Sequence, residues 1–380
     1  MSPKGVKFPA MLTRRTFFKA AGMGAAAAAA HAGLPNEFLL WAEPPRAPQP
    51  GGLILLNSNE NAYGPFPGVL NIGNPFLDAN RYPDHHSDRI GERLAALCKV
   101  QQECVIAGCG STEILRMCAA AFTGPGRRLV MPSPTFEAIG HYAGVTGAEI
   151  VRIPLTQDFR HDLAAMSKAA ATTTGLIYIC NPNNPTGNIT PRSEIEEFIK
   201  TLPKNVYVLI DEAYHDFVPA SPDYVSFIDR PMGDDRVIVA RTFSKIYGLA
   251  GLRLGYAVSS KPTIKLLQQH KLEDSLNALV TRCALLALDD EAAHRQAQQR
   301  NAFDRDEFMR QAGTRKITAI PSAANFIMVQ TGRPVRSVIE HFRQNNIAIG
   351  RPFPPLDTYA RISLGLPGEM KEFWRVWDTL

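Results

Sequence analysis

Between residues 104 and 260 the sequence alternates short apolar runs with stretches of helical periodicity, and that alternation limits the folds open to it. The runs "CVIAG", "RRLVMP", "EIVRIP", "GLIYIC", "VYVLID", "RVIVAR" and "GYAVSS" read as buried strands, while 111–122, 136–144 and 192–201 read as helices. Strands buried on both sides and joined by helical crossovers build a parallel sheet with helices on its faces. The expectation is an α/β fold whose large domain, 81–261, holds a mostly parallel seven-stranded sheet flanked by helices. From about residue 262 a long helical stretch through "RNAFDRDEFMRQAG" leads into "NFIMVQ", a helix near 334–345 and "ARISLG". That reads as a smaller α+β domain over 262–380. A chain of 380 residues has room for one large and one smaller domain.

The formal charge of +5 invites a nucleic-acid reading, but its location argues against one. Lys4, Lys7, Arg14, Arg15 and Lys19 lie in the first 32 residues, which hold no Asp or Glu, so the remainder is near neutrality. The segment "TRRTFFKAAGMGAAAAAAHA" matches the twin-arginine export pattern, with Ala30 and Ala32 as small residues for cleavage. It is too short and too interrupted to span a bilayer, so 1–32 reads as a removable signal, with Met1 or Met11 as the start. The expected partner is the twin-arginine export machinery and the expected location is periplasmic or otherwise exported, cytoplasmic if the signal goes unused. Residues 33–80 read as a tether, proline-rich at "EPPRAPQPGG", and an arm. The six cysteines show no CxxC pair and no histidine at metal spacing, so neither a required disulfide nor a metal is expected. His85 and His86 read as solvated.

In open α/β sheets ligands sit outside the carboxyl ends of the strands. "VLIDEAY" leaves Asp211 and Tyr214 there, "IYICNPNNPTG" leaves Asn184, and "VIVARTFSK" leaves Thr242, Ser244 and Lys245. "VIAGCGSTEILRM" ends a strand and opens a helix at Gly110-Ser111-Thr112, whose free amides and positive dipole end suit a phosphate. Lys245 sits among apolar residues in "RTFSKIYGLAGLRLGYAV", where burial lowers an amine's pKa toward nucleophilic neutrality. A lysine for imine chemistry, a carboxylate for a ring nitrogen, a phosphate cradle and an aromatic ring together suit pyridoxal phosphate. Arg253, eight residues past Lys245 across a glycine-rich turn, can return to the same phosphate.

With "LNSNENAYGP", "RYPD", "GCGSTE", "SPTFEA", "NPNNPTG", "DEAYHDF", "RTFSKIYGLAGLRLGY", "NFIMV", "GRPFPP" and "ARISLG" in this order, the chain resembles the fold-type-I pyridoxal-phosphate aminotransferases of class I/II. It is most similar to their histidinol-phosphate aminotransferase group. The resemblance implies that Lys245 holds the cofactor aldehyde as an imine and then shuttles a proton, and that Asp211 pairs with the pyridinium nitrogen. Asn184 and Tyr214 are implied at the ring oxygen and Phe136 on the ring face. Ser111, Thr112, Thr242, Ser244 and Arg253 are implied at the phosphate. Tyr82 of "RYPD" is implied at the phosphate of a neighbouring subunit, which makes a homodimer with shared sites the expected assembly. Arg361 is implied to clamp the substrate α-carboxylate with help from Asn184, while Tyr63 and Arg351 face the substrate side chain. The expected reaction transfers an amino group from a small-molecule amino donor to a 2-oxo acid acceptor. A racemase, decarboxylase or oxidase on the same scaffold is the alternative, and a non-catalytic binding protein is a third reading that the intact polar set disfavours. Histidinol phosphate belongs to cytoplasmic biosynthesis, which conflicts with an export signal and leaves the donor open.

Overall fold

In chain order the strands are β1 (Ile54–Leu56), β2 (Val105–Cys109), β3 (Arg128–Ser133), β4 (Ile150–Pro154), β5 (Thr174–Cys180), β6 (Tyr207–Asp211), β7 (Val237–Thr242), β8 (Leu254–Val258), β9 (Phe326–Gln330), β10 (Ile347–Ile349) and β11 (Tyr359–Ser363). The helices are α1 (Pro67–Leu70), α2 (Asp84–Cys98), α3 (Ser111–Phe122), α4 (Ala138–Val145), α5 (Leu163–Ala169), α6 (Arg192–Thr201), α7 (Lys261–Gln268), α8 (Ala278–Asp289), α9 (Glu291–Thr314), α10 (Val335–Gln344) and α11 (Pro367–Trp377). This computed structural model describes residues 52–380, apart from 78, 171, 172 and 220 and the side chains of 84–88. The expected signal, the proline-rich tether and the side chains of His85 and His86 lie outside the described residues.

The seven expected strands form one sheet in the order β2-β8-β7-β6-β5-β3-β4. The pairs β3–β4, β3–β5, β5–β6 and β6–β7 are parallel. Only β8 is reversed, pairing antiparallel with both β2 and β7. Every position of β5 is buried, because helices cover both faces of a central parallel strand. Leu115, Cys118, Phe122, Leu176, Tyr178, Leu209 and Ile238 share one core between the sheet and α3. The topology has a consequence for the site. Carboxyl ends of β2, β3, β5, β6 and β7 open on one edge, and β8 starts at that same edge.

The C-terminal part builds a second core from the antiparallel pair β9–β11, the parallel pair β1–β10 and helices α9, α10 and α11. Leu56 is fully buried in it beside Ile327, Phe342, Ile347 and Phe373. Part of the segment read as an arm therefore belongs to the C-terminal core, paired with residues almost 300 positions away. The helical stretch expected from 262 is also interrupted: α7, α8 and α9 are separate helices. Asn277 and Asp290 restart the chain as N-caps, their side-chain oxygens accepting from Val280 N at 2.8 Å and Ala293 N at 3.0 Å. The helix expected over 136–144 starts at Ala138, because Phe136, which lines the cavity, and Glu137, which pairs with Arg351, remain in the turn after β3. All six cysteines are unpaired. Among the described residues no helix is long and apolar enough to cross a membrane.

Candidate active site

A cavity of about 1010 Å³ opens at the carboxyl edge of the sheet. Its walls come from the turns after five strands and from the C-terminal part. Ser111 and Thr112 follow β2, Phe136 follows β3, Asn184 follows β5, Tyr214 follows β6, and Ser244 and Lys245 follow β7. Arg253 enters just ahead of β8, and Arg351 and Arg361 arrive from the far side. The reversal of β8 brings Arg253 back to the edge that Lys245 has just left.

Lys245 Nζ donates to the carbonyls of Ser58 at 3.2 Å and Asn59 at 3.1 Å. Both acceptors are neutral. Burial, reinforced by Arg361, lowers its pKa to about 8 against the opposing pull of Glu60 and Asp211, with Arg253 adding to the depression. A minor but accessible fraction of the amine, about one tenth at pH 7, is therefore neutral and able to take up a proton. Asp211, the last residue of β6, is 2% exposed. Its carboxylate accepts from the Tyr178 hydroxyl at 2.8 Å and from Ala213 N at 3.1 Å. Burial nevertheless raises its pKa to about 6, since the two hydrogen bonds and Lys245 only partly offset desolvation. Such a carboxylate favours a cation placed against it.

The wall opposite is an anion cradle. Gly110, at φ 75°, lets the chain turn from β2 into the amide end of α3, and any Cβ there would lie 2.2 Å from an Arg253 nitrogen. Gly255 serves the same approach, since a Cβ on it would come within 2.1 Å of Ser111 N. Arg253 donates to Thr112 Oγ1 at 2.9 Å and Ser244 Oγ at 3.2 Å, and Thr242 Oγ1 lies 3.0 Å from Ser244 Oγ. Four hydroxyls, a guanidinium and a helix N-terminus thus converge on one spot.

Arg361 is buried, donating to Asn184 Oδ1 and to the carbonyl of Asn57, each at 2.6 Å. Among the described residues no carboxylate pairs with it and its Nε has no hydrogen-bond partner. Burial lowers its pKa to about 10. A buried cation without an anion is costly, so this position favours a carboxylate or phosphate ligand. Tyr214 presents its hydroxyl to Asn59 Nδ2 at 3.0 Å and its ring to Lys245, 5.5 Å from Nζ.

Three expected substrate or cofactor residues stand differently. Arg351 reaches the cavity but pairs with Glu137, 2.5 Å away, and stacks on Phe353. Tyr63 is absent from the cavity wall, because its hydroxyl donates to Asp304 at 3.0 Å and Arg300 covers its ring. Tyr82 is 79% exposed and does not line its own chain's cavity.

The structure adds residues to which the sequence reading gave no role. Asn57, Ser58, Asn59 and Glu60 line the cavity, with Asn59 held at φ 55° and anchored by Ser363 Oγ at 2.8 Å and Asn325 Nδ2 at 3.1 Å. Tyr178 was detectable: it is the one phenol in an apolar central strand, and a buried phenol needs a partner. Beneath the site, buried Glu212 accepts from Ser226 Oγ at 2.6 Å, Phe227 N at 2.9 Å and Arg241 Nε at 3.1 Å. This fixes the turn that carries Asp211 and Tyr214.

The chain is similar to known proteins over most of its length. The family profile described as aminotransferase class I and II matches residues 52–376. A histidinol-phosphate aminotransferase of Moorella thermoacetica is 37% identical over 328 residues, covering 85% of this chain and 84% of that protein. Among solved structures, a candidate histidinol-phosphate aminotransferase from Erwinia carotovora atroseptica is 32% identical with a TM-score of 0.82, covering 88% of this chain and 96% of the other. The histidinol-phosphate aminotransferase of Sinorhizobium meliloti, solved in complex with pyridoxal-5'-phosphate, is 25% identical with a TM-score of 0.80, covering 86% and 92%.

Proposed function

The chain belongs to the class I and II aminotransferases, and from that premise we propose that it moves an amino group from an amino acid, or a histidinol-phosphate-like amine, to a 2-oxo acid with pyridoxal 5'-phosphate held at Lys245. One observation carries the reading: a depressed lysine, a buried carboxylate, an anion cradle and an unpaired buried arginine line a single cavity.

The residues fit the cofactor by their chemistry. Thr112, Ser244, Ser111, Thr242 and Arg253 would hold its phosphate at the N-terminus of α3. Asp211, kept in place by Tyr178, would hold a proton on the ring nitrogen. Tyr214 and Asn184 would donate to the ring oxygen and Phe136 would cover one face. When bound, the cofactor supplies an electron sink for negative charge at the substrate Cα. Lys245 then acts as the base and acid at that carbon, which its lowered pKa permits near neutral pH. Arg361 fixes the α-carboxylate by a two-pronged contact, with Asn184 holding the guanidinium plane.

The deciding experiment is a panel of amino donors with 2-oxoglutarate or pyruvate as acceptor, on protein loaded with the cofactor. Release of a 2-oxo acid only in the presence of acceptor supports the reading. Loss of CO₂, inversion without acceptor or oxygen consumption would instead mark a decarboxylase, racemase or oxidase. Borohydride reduction and peptide mapping should fix the cofactor on Lys245, and labelling elsewhere would overturn the assignment.

Two further parts of the proposal have their own tests. A homodimer would give exposed Tyr82 a role at the neighbour's phosphate. Cofactor affinity should then fall on dilution toward monomer, and a fully active monomer would remove the role. Export by the twin-arginine route, to the periplasm or beyond the membrane, is supported by "TRRTFFK". Replacing Arg14 and Arg15 with Lys should retain the protein in the cytoplasm.

A further inference from the structure

The outer end of the cavity differs from the inner end. The inner end is cationic and polar. At the outer end β1 turns Ile54 and Leu56 into the C-terminal core, which by strand alternation directs Leu53 and Leu55 the other way, onto the cavity wall. These leucines are 56% and 55% exposed, joined on the wall by Ile339 of α10. An amino donor whose α-carboxylate sits on Arg361 must extend its side chain toward this end. The cation best placed to meet a distal anion is Arg351, because the Phe353 ring lies under both guanidiniums, 4.3 Å from Arg351 and 4.8 Å from Arg361. Glu137 already occupies it, at 2.5 Å. Arg343 also borders the cavity but is exposed at its rim, where solvent screens it.

We propose that Glu137 sets the class of amino donor. By holding Arg351 across the mouth it withdraws the second cation from the substrate's far end and repels a distal carboxylate or phosphate. The leucine-lined wall remains as the surface for the side chain. Preferred donors then carry an uncharged, largely apolar side chain, of the kind found in leucine, methionine or phenylalanine. Selectivity comes from an added repulsive element as much as from an attractive one. The inference rests on the aminotransferase reading and names the substrate class of the same site. The Glu137–Arg351 pair is half in water, which keeps it openable and makes its effect moderate.

The test compares the wild-type chain with Glu137→Gln, each loaded with the cofactor, using L-leucine and L-glutamate as donors with a common acceptor. The wild type should favour leucine in kcat/KM, and Glu137→Gln should raise the glutamate-to-leucine ratio by about three- to fivefold. Glu137→Asp, which keeps the charge, should restore most of the wild-type ratio. Equilibrium binding of the amine-free analogues glutarate and 4-methylpentanoate, measured by calorimetry, should shift in the same direction without any turnover. A ratio that Glu137→Gln leaves within about twofold, with the analogues equally unmoved, overturns the proposal. A wild type that prefers glutamate overturns it as well. In both cases transamination persists and the functional reading stands, whereas a chain that transaminates no donor of either class overturns both.

Discussion

Replacing Lys245 with methionine should make the cofactor-free protein more stable at neutral pH while abolishing turnover. The folded protein lowers the pKa of this lysine from 10.5 to about 8, chiefly by burial. At 1.36 kcal/mol per pH unit that depression amounts to roughly 3 kcal/mol. The cavity reaches the side chain, which is only partly covered, so solvent screening brings the working figure to about 1–2 kcal/mol. Methionine has similar length and no charge, and the carbonyls of Ser58 and Asn59 lose a donor, which returns up to ~1 kcal/mol. The pH dependence separates these effects. Between about pH 8 and 10.5 the unfolded chain binds a proton at this position that the folded chain has shed, so wild-type stability rises with pH across that window. Below pH 8 the full penalty remains. Urea unfolding of both cofactor-free proteins at pH 7, 9 and 10.5 should show Lys245→Met ahead at pH 7, with the advantage shrinking by about 1–2 kcal/mol toward pH 10.5. A difference that does not change with pH would mean an ordinary ammonium, and the proton-transfer role assigned to Lys245 would lose its physical basis.

Tyr178→Phe removes a 2.8 Å hydrogen bond to the buried Asp211 carboxylate and nothing else of size. A hydrogen bond to a charged group contributes roughly 1.5–3 kcal/mol, so the acid limb of the kcat/KM profile should move up by about one to two pH units; an unshifted limb would separate Tyr178 from the site. Glu212→Ala strands the buried Arg241 guanidinium and should cost about 3–5 kcal/mol in urea unfolding. Glu212→Gln, which keeps the side-chain shape and one oxygen to accept from Phe227 N but loses the charge, should cost clearly less, and equal losses would show that the charge rather than packing is what Glu212 provides.

The large sheet was legible because its information is local. Each strand from β2 to β8 is a mostly apolar run of five to seven residues bounded by turn residues, and in all but the edge strand β4 both faces are largely buried, so periodicity and burial point the same way. β1 was not legible for the opposite reason. Its three residues pair with Ile347–Ile349, and a short apolar run beside Gly-Gly reads as tether until its distant partner is known. The breaks before α8 and α9 were present in the sequence as Asn277 and Asp290. Each is a good N-cap, but a polar residue in a polar helical stretch stands out only once the amide it accepts from is seen.

The site divides along the same line. Lys245, Asp211, Asn184, Tyr214 and the phosphate hydroxyls sit within a few residues of a strand end, and the parallel topology alone carries those ends to one edge. What the topology does not determine is which charge meets which across the mouth. Glu137 and Arg351 are 214 residues apart and both face water, and Tyr63 finds Asp304 across 241 residues. No local pattern encodes such pairs, and an exposed ion pair leaves no compositional trace. The chemistry of the inner cavity is therefore carried by the sheet edge, whereas the proposed donor choice rests on a pair that meets across the mouth, Glu137 from the turn after β3 and Arg351 from the C-terminal part. Substitutions at the mouth can change the substrate without disturbing the strand ends that perform the proton transfer.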